Sequence, residues 1–303
     1  MTTVSSTEKK QKWSLIELLN WTTAYLTEKE FEEPRLNAER LLAHALGLSR
    51  IELYTNFDRP LTPVELSAFK ALLKRRLTHE PLQYIIGETE FFSLPFKVTP
   101  AVLIPRPETE LLLEQVIEHC RANYSQDEII EILEIGAGSG CISVALAKNI
   151  DNVQVTAVDI SRDALAIAAG NAEAHDVQVV FHERDALRPW PPEYLNAFDI
   201  VVSNPPYVSF SEYENLPPEI KNYEPKIGLL GGNDGLDFYR KFSNILPTLL
   251  KANAYAFFEI GERQAASVKN IYSDSGFSSI QIIDDLAGKN RIVKMHWNRS
   301  TEK

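Results

Sequence analysis

The chain has few of the features that mark a secreted, membrane-spanning or metal-binding protein. Only two cysteines occur among its 303 residues, too few for a disulfide framework, and Cys120 and Cys141 lack the spacing of metal ligands. The six histidines are scattered, and no apolar run reaches the length of a membrane helix. The segment Met1–Lys10 contains no apolar core of a secretion signal. These absences predict a cytoplasmic protein with reduced thiols, no metal and no membrane contact.

Positive charge is also scarce. The chain has 31 Lys and Arg against 42 Asp and Glu, which gives a formal net charge of -11. Because such a field opposes a phosphate backbone unless a local basic patch works against it, we expect no direct contact with nucleic acid. A basic protein partner fits the charge better. With 44% hydrophobic and 24% charged residues, the chain reads as a globular protein, and we expect a monomer with one large or two ordinary domains.

The sequence divides into three segments that differ in the spacing of their apolar residues: residues 1–80, residues 81–106 and residues 107–303. The first has apolar residues at helical spacing and a helix start at Pro63, and it predicts a small helical bundle. It shows no catalytic spacing, so we interpret it as a packing or partner-docking module. The second holds two short apolar runs, residues 83–87 and residues 90–98. They predict a β-hairpin linker with its turn near Gly87.

The third segment alternates between strand-length apolar runs and helical patterns. The runs are residues 129–135, 153–160, 177–181, 198–203 and 254–260. Helices are expected to begin at Pro107 and to cover residues 164–174 and 236–250. This alternation predicts a parallel sheet in an α/β fold. The last two runs, residues 278–283 and 291–297, lie too close together for a helical crossover, so we expect an antiparallel pair there.

The first strand of this segment leads into a glycine loop, residues 134–140, which reads Glu-Ile-Gly-Ala-Gly-Ser-Gly and precedes a helix from Cys141. Glycines at a strand-to-helix turn let a ligand lie against the backbone at the helix start. The spacing differs from the dinucleotide fingerprint, which would need a glycine at position 141. Because glycine-rich turns are also common without a ligand, the neighbouring strand ends have to support the interpretation.

Polar residues end the neighbouring strands. Asp159 lies where a carboxylate accepts hydrogen bonds from ribose hydroxyls, although capping a helix near Ser161 explains it equally well in isolation. Asp185 is suited to accept from an adenine amino group, and Asn204 ends the fourth strand. Since these strand ends meet at one edge of a parallel sheet, they predict an adenosine-bearing cofactor. Glu134 disfavours pyrophosphate and favours a cation, so S-adenosylmethionine fits better than NAD or ATP.

The fourth strand ends in Asn204-Pro205-Pro206-Tyr207, which we call the ledge. The prolines fix φ and remove N–H donors, so the ledge is stiff and rich in acceptors. The side-chain oxygen of Asn204 and the carbonyl of Pro205 are predicted to accept the hydrogens of a planar NH₂ group and align its nitrogen with a methyl group. The ring of Tyr207 offers a stacking face that tolerates a sulfonium. A structural proline turn is the alternative.

The ledge, the glycine loop and Asp159 resemble those of class I S-adenosylmethionine methyltransferases that modify planar nitrogens. Three further stretches are similar to the HemK/PrmC family, the peptide chain release factor glutamine methyltransferases. They are residues 103–110 (Leu-Ile-Pro-Arg-Pro-Glu-Thr-Glu), residues 231–239 (Gly-Gly-Asn-Asp-Gly-Leu-Asp-Phe-Tyr) and Asn290-Arg291. The resemblance covers nearly the whole chain. The ledge tetrapeptide is shared with adenine methyltransferases of DNA, whereas residues 105–110 are far more specific.

The resemblance implies a Rossmann-like class I methyltransferase sheet, mostly parallel with an antiparallel C-terminal hairpin, in residues 107–303. It implies methyl transfer to the side-chain amide nitrogen of the glutamine in the Gly-Gly-Gln motif of class I release factors, with residues 1–80 docking that partner. The implied cofactor site is Glu134, Gly136, Ala137, Gly138, Ser139, Gly140, Asp159, Asp185, Ala186 and Asn204. The implied catalytic residues are Asn204, Pro205 and Tyr207, and the implied substrate-binding residues are Asn204, Pro205, Pro206 and Tyr207. Family members often have an aromatic residue at the position of Ala186, so stacking on adenine is expected from elsewhere.

Two other functions compete with this interpretation. A DNA adenine methyltransferase should carry a basic face, which this acidic chain lacks overall. A noncatalytic adaptor with a degenerate cofactor pocket is disfavoured by the intact glycine loop, Asp159 and Asn204. No nucleophile and base of the Ser-His or Cys-His type is evident near the loop, so we expect direct in-line transfer without a covalent intermediate.

Overall fold

The computed structural model describes residues 13–298, so the Met1–Lys10 segment considered for a secretion signal lies outside the described residues. The chain divides into two compact units between Ile86 and Gly87. Across the described part of the chain, no helix is long and apolar enough to cross a bilayer. Cys120 and Cys141 are both buried and unpaired.

The described residues of the first unit form five helices, α1 (Leu15–Glu28), α2 (Pro34–Leu46), α3 (Arg50–Thr55), α4 (Pro63–Leu77) and α5 (Leu82–Ile86). Three of them start where the sequence supplies a capping box, at Ser14, Ser49 and Thr62, each with a glutamate three residues later. The helices bury a common leucine-rich core that includes Leu15, Leu19, Leu26, Leu41, Leu42 and Leu53. The predicted helical bundle is confirmed.

The predicted strand over residues 83–87 is wrong, because residues 82–86 form α5. The hairpin lies later, between β1 (Glu88–Phe91) and β2 (Leu94–Lys97), and belongs to the second unit. Its turn is therefore not at Gly87 but at Phe92 and Ser93, which both have positive φ, 51° and 60°. Such a two-residue turn matches the twist of the strands, but it normally selects Asn or Gly, so Phe92-Ser93 carries no recognisable turn signal.

The described residues of the second unit hold a sheet of seven strands in the order β5-β4-β3-β6-β7-β9-β8. They are β3 (Ile130–Ile135), β4 (Val153–Asp159), β5 (Val179–Glu183), β6 (Phe198–Ser203), β7 (Leu250–Glu259), β8 (Ser278–Asp284) and β9 (Asn290–Trp297). Strands β3 to β7 pair in parallel, and β9 is antiparallel to both β7 and β8. The predicted mostly parallel sheet with an antiparallel C-terminal hairpin is confirmed.

Successive residues of a strand point to opposite faces of the sheet, and both faces carry apolar side chains. Helices therefore cover both faces. On β3, Ile132 packs in one hydrophobic cluster and Leu133 in the other. The helices are α6 (Pro107–Asn123), α7 (Cys141–Asn149), α8 (Arg162–Ala174), α9 (Phe210–Glu214), α10 (Pro218–Tyr223), α11 (Asp237–Phe242), α12 (Leu246–Leu249) and α13 (Ala265–Asp274). Helices α6 and α7 pack on the first face, and α11 and α13 pack on the second.

Two boundaries differ from the sequence-based expectation. Residues 236–250 were expected to form one helix, but they form α11 and α12, and Leu250 already pairs with Phe198 in the sheet. Pro247 at the second position of α12 has no N–H with which to continue a preceding helix. The third predicted strand, residues 177–181, is displaced to β5, two residues later.

The carboxyl ends of the parallel strands are level with one another. Ile135 pairs with both Val158 and Ser203, and Ser203 pairs with Phe258. The residues that follow these positions therefore meet at one edge of the sheet, as expected for an open α/β fold.

Candidate active site

A cavity of about 460 Å³ opens at this edge of the sheet. Nearly all residues of the predicted cofactor and substrate sites line it: Glu134, Gly136, Ala137, Gly138, Ser139, Asp159, Asp185, Ala186, Asn204, Pro205, Pro206 and Tyr207. Gly140 is the exception. It is the N-cap of α7, and a Cβ atom there would lie 2.9 Å from the Cβ of Ala168. Its place in the fold therefore indicates close packing of α7 against α8.

The N–H groups of the glycine loop are largely engaged within the protein. Gly136 and Ala137 donate to the carbonyl of Val158 at 2.8 and 3.0 Å, and Gly138 donates to Oδ2 of Asp159 at 2.9 Å. A loop that seats phosphate would leave such donors open. The loop is therefore better suited to a ligand that lies against its surface than to a pyrophosphate.

Gly136 and Gly138 have φ of 81° and 54°, a region that side chains rarely adopt. A Cβ atom added to either residue would meet no protein atom within 4 Å. Both residues line the cavity, so a side chain there would take up free space at its wall. The fold thus keeps room for a ligand against this stretch of backbone.

Glu134 is a buried carboxyl group with an incomplete set of partners. Its Oε2 accepts a hydrogen bond from the N–H of Ser143 at 3.0 Å, while its Oε1 is buried and has no partner among the described residues. Burial raises the pKa of Glu134 to about 8, and the nearby Asp159 adds to this rise. A cationic group in the cavity would satisfy the free oxygen and favour the ionised form.

This burial predicts a pH-dependent stability. The folded-state pKa of about 8 lies above the ordinary value of 4.5, so stability due to the protonated carboxyl is lost as pH rises from about 4.5 to 8. Glu134→Gln cannot ionise, and it should exceed the ligand-free wild type in stability by up to about 4 kcal/mol at pH 8, with little gain at pH 4. Thermal denaturation between pH 4 and 8 measures this difference.

The matched control for that experiment is Glu114→Gln on the exposed side of α6, which should leave the pH profile unchanged. A constant difference in stability between Glu134→Gln and wild type from pH 4 to 8 would show that folding does not raise the pKa of Glu134 and would contradict this prediction.

Asp159 ties the glycine loop to the next strand. Besides accepting from Gly138, its Oδ1 accepts from the N–H of Ser161 at 2.8 Å. The competing interpretation of Asp159 as the helix cap is wrong, because Ser161 is the N-cap of α8 and its side chain accepts from the N–H of Ala164. Each carboxylate oxygen keeps a second lone pair, so Asp159 can still accept from a pair of hydroxyls.

At the end of β5, Asp185 and Ala186 line the cavity. Oδ1 of Asp185 accepts from the N–H of Leu187 at 3.0 Å, and the carbonyl of Ala186 accepts from Nε1 of Trp190. Neither of these contacts supplies a stacking face. Ile160, which was not predicted, lines the cavity directly after Asp159 with 50% of its surface exposed, and it provides an apolar face. The available signal was an isoleucine next to the polar residue that ends the strand.

The ledge leaves β6 with the Asn204 side chain held on one side only. Nδ2 of Asn204 donates to Oγ1 of Thr109 at 3.1 Å, while Oδ1 accepts from no described residue. Pro205 is buried and Pro206 partly exposed, and both line the cavity. The hydroxyl of Tyr207 donates to Oε1 of Glu259 at 3.0 Å. Asn204 therefore lines the cavity with one amide oxygen that has no partner among the described residues.

A second glycine-rich stretch, residues 231–235, supports the ledge from behind. A Cβ atom at Gly231 would lie 2.6 Å from the carbonyl oxygen of Pro206, and one at Gly235 would lie 2.1 Å from that of Tyr207. Nε2 of Gln264 donates to the carbonyl of Tyr207 at 2.9 Å. The similarity of residues 231–239 to the HemK/PrmC family therefore has a physical basis, since only glycine allows this approach.

Another part of the cavity wall was not predicted. Leu103 and Arg106 line the cavity together with Pro225 and residues 227–230. Arg106 forms an ion pair with Glu224, whose side chain is 1% exposed, and Glu224 also accepts from the N–H of Ile104 at 3.2 Å. These contacts join two segments about 120 residues apart in sequence. Of these two segments, the sequence marked only the one around Arg106, through the run Pro105-Arg106-Pro107.

Both parts of the chain are similar to known proteins. The family model for the PrmC N-terminal domain matches residues 17–87, and that for the methyltransferase small domain matches residues 107–216. A release factor glutamine methyltransferase of Geobacter sulfurreducens is 44% identical over 95% of this chain and 98% of that protein. One from Bacillus subtilis is 37% identical over 92% and 96%. The crystal structure of a methyltransferase from Pyrococcus furiosus, 16% identical, matches 77% of this chain and all of that chain with a TM-score of 0.51, which supports the fold alone.

Proposed function

We propose that this chain, which belongs to the release factor glutamine methyltransferase family, methylates the side-chain amide nitrogen of a glutamine in peptide chain release factors. The proposed target is the glutamine of the Gly-Gly-Gln motif in class I release factors. The observation that carries the proposal is the free acceptor of Asn204 on the ledge, next to a cavity whose buried carboxyl favours a cation.

The residues present fit S-adenosylmethionine as the cofactor. When bound, this cofactor supplies an electrophilic methyl group on a sulfonium. The unpartnered Oε1 of Glu134 suits the ammonium group of the cofactor, and the lone pairs left on Asp159 suit the two ribose hydroxyls. We assign the adenine side of the cavity to Asp185, Ala186 and the apolar face of Ile160.

The ledge binds and orients the acceptor amide. Oδ1 of Asn204 and the carbonyl of Pro205 each accept one hydrogen of the glutamine NH₂ group, which holds its nitrogen toward the methyl donor. An amide nitrogen is a poor nucleophile, so the reaction depends on its orientation. In the best cases, orientation lowers the activation barrier by about 7 kcal/mol or more. Because both partners are acceptors, they also favour the nitrogen of the transition state, on which positive charge builds. We assign to Pro206 and the Tyr207 ring the faces against which the amide packs.

Transfer is direct on this account, from the donor to the amide nitrogen, with no covalent intermediate on the protein. The alternatives are less well supported. A noncatalytic adaptor has no need of an amide oxygen kept free at the cavity, and a DNA adenine methyltransferase has to overcome the net charge of -11.

The test is methyl transfer from labelled S-adenosylmethionine to a purified class I release factor, with duplex DNA as the competing substrate. We expect one added methyl group on the glutamine of the Gly-Gly-Gln motif, located by mass spectrometry of the proteolysed product. A release factor with Asn in place of that glutamine is the matched control. Label on DNA alone, or on the control protein to the same extent, would contradict the proposal.

We assign docking of the release factor to residues 1–80. Among the described residues, the first unit exposes several large apolar side chains: Trp21, Ile51, Tyr54 and Phe57. Exposed aromatic residues are common at protein interfaces, which supports this assignment. We further propose that the protein acts in the cytoplasm as a monomer, without contact to nucleic acid or membrane.

A further inference from the structure

Behind the ledge, a chain of hydrogen bonds joins side chains from distant parts of the sequence. Asn204 donates to Thr109 in the first turn of α6, and Oγ1 of Thr109 donates to Oε2 of Glu259 at 2.7 Å. Tyr207 donates to the other oxygen of Glu259 at 3.0 Å. Thr109 and Glu259, which ends β7, are each only 2% exposed. The bond between Thr109 and Glu259 is therefore shielded from water, and a buried hydrogen bond is the most sensitive to a missing partner.

The direction of each bond follows from counting the hydrogens. A carboxylate only accepts, so Glu259 takes the single hydroxyl hydrogen of Thr109 and that of Tyr207. Thr109 then has only lone pairs left for Asn204. The Asn204 carboxamide must turn its NH₂ group to Thr109, and its oxygen faces the cavity.

The surroundings of Glu259 act on its charge in opposite directions. The pKa of Glu259 is raised overall, because burial is the largest influence and Glu108 acts in the same sense, whereas the two hydroxyl donors and Arg291 lower it. In the ionised form, each oxygen of Glu259 accepts one hydroxyl hydrogen, which is compatible with both contacts. The carbonyl of Glu259 is also fixed, since it accepts from the hydroxyl of Tyr239 at 2.7 Å.

We infer that Glu259 is a positioning residue, which acts through Thr109 to hold the Asn204 carboxamide with its oxygen toward the methyl acceptor. This inference rests on the proposed function for its effect on catalysis. If the Thr109 hydroxyl were free to rotate, it would donate to the Asn204 oxygen, and the amide would then present two donors to an incoming NH₂ group. The acceptor amide would meet repulsion where it now finds a hydrogen-bond partner.

Variants at Thr109 test the inference. Thr109→Val keeps the volume but removes the acceptor for Nδ2, and it should lower kcat for release factor methylation by about tenfold while the dissociation constant of S-adenosylmethionine stays unchanged. Thr109→Ser keeps the hydroxyl and should restore most of that loss. Glu259→Gln lets the Thr109 hydroxyl turn toward Asn204, and it should lower kcat at least as much. Glu114→Gln on α6 serves as the control for loss of a carboxylate.

A second measurement reports on the amide itself. In NMR spectra of the full chain, the side-chain NH₂ signal of Asn204, assigned by its absence in Asn204→Ala, should exchange its hydrogens with water slowly. The exchange should speed up in Thr109→Val and Glu259→Gln and stay slow in Thr109→Ser. This readout needs no substrate, so it also decides the inference if Thr109→Val proves too unstable for kinetic assays.

The two measurements separate the inference from the proposed function. Wild-type protein that methylates no release factor would contradict the proposed function, and amide exchange would still decide whether Glu259 orients Asn204. Equal kcat in wild type, Thr109→Val and Glu259→Gln would overturn the inference, as would equal losses in Thr109→Val and Thr109→Ser. Unchanged exchange of the Asn204 amide in Thr109→Val and Glu259→Gln would also overturn it.

Discussion

Asn204→Ala should lower kcat for release factor methylation by about 10²- to 10³-fold, the usual effect of removing one preorganised hydrogen-bonding group from a transition state. The substitution removes the only side-chain oxygen that the ledge offers to the glutamine NH₂ group. The substitution leaves the Pro205 carbonyl as the second acceptor, so we expect activity to fall rather than to vanish. Affinity for S-adenosylmethionine should persist, because Glu134, the glycine loop and Asp159 are untouched. Single-turnover kinetics together with calorimetric titration of the cofactor measure the two effects separately.

The matched control is Asn244→Ala, the same change at an exposed position after α11, which should leave kcat unchanged. Parallel loss of cofactor affinity and kcat in Asn204→Ala would indicate a collapsed site and would contradict a specific role in binding the acceptor amide. Wild-type turnover in this variant would remove the ledge from the mechanism altogether.

Gly235→Ala should abolish most of the activity from a position that contacts no reacting atom. Gly235 has φ of 78°, and its added Cβ would lie 2.1 Å from the carbonyl oxygen of Tyr207 and 2.4 Å from Nε2 of Gln264. The contact with Tyr207 is with backbone, and the Gln264 side chain is bonded to that same carbonyl, so the ledge must shift. We expect at least about 2 kcal/mol of destabilisation, a Tm lower by about 4 °C or more, and a loss of kcat comparable to that of Asn204→Ala.

Gly170→Ala in the middle of α8 provides the contrast. A Cβ atom at Gly170 meets nothing within 4 Å, and its φ is not positive. Alanine is favoured over glycine there by about 0.5–1 kcal/mol, so this variant should be as stable as wild type or more so, with full activity. If Gly235→Ala also kept wild-type stability and activity, close packing of residues 231–235 against the ledge would not be required to position it.

The features that sequence predicted best are those that depend on short-range pattern. Alternating apolar runs and helical spacing located the parallel strands, and strand-end polar residues located one edge of the sheet. Asp159 and Asn204 were found because Asp159 ends one strand and Asn204 directly follows another. The fold class and the cavity both follow from this local information, because parallel strands place their carboxyl ends together.

Features that depend on distant partners were not predictable. The hydrogen bond between Thr109 and Glu259 spans 150 residues, and the ion pair of Arg106 with Glu224 spans 118. Nothing local distinguishes Glu259 from any acidic residue at a strand end. The helix α5 was missed for a related reason, since its apolar residues serve the core of the first unit and match a short strand equally well.

The long spans in the hydrogen-bond network also set an order for folding during synthesis. The glycine loop, β4 and β5 interact within a stretch of about 50 residues, and this stretch is translated before the rest of the sheet. The ledge gains its supports only when Glu259 and Gln264 have been translated, more than 50 residues after Tyr207. Contacts of such separation form slowly because the intervening chain must first be ordered. A nascent chain therefore contains the glycine loop, β4 and β5 before it contains the residues that support the ledge, and we expect it to gain activity last.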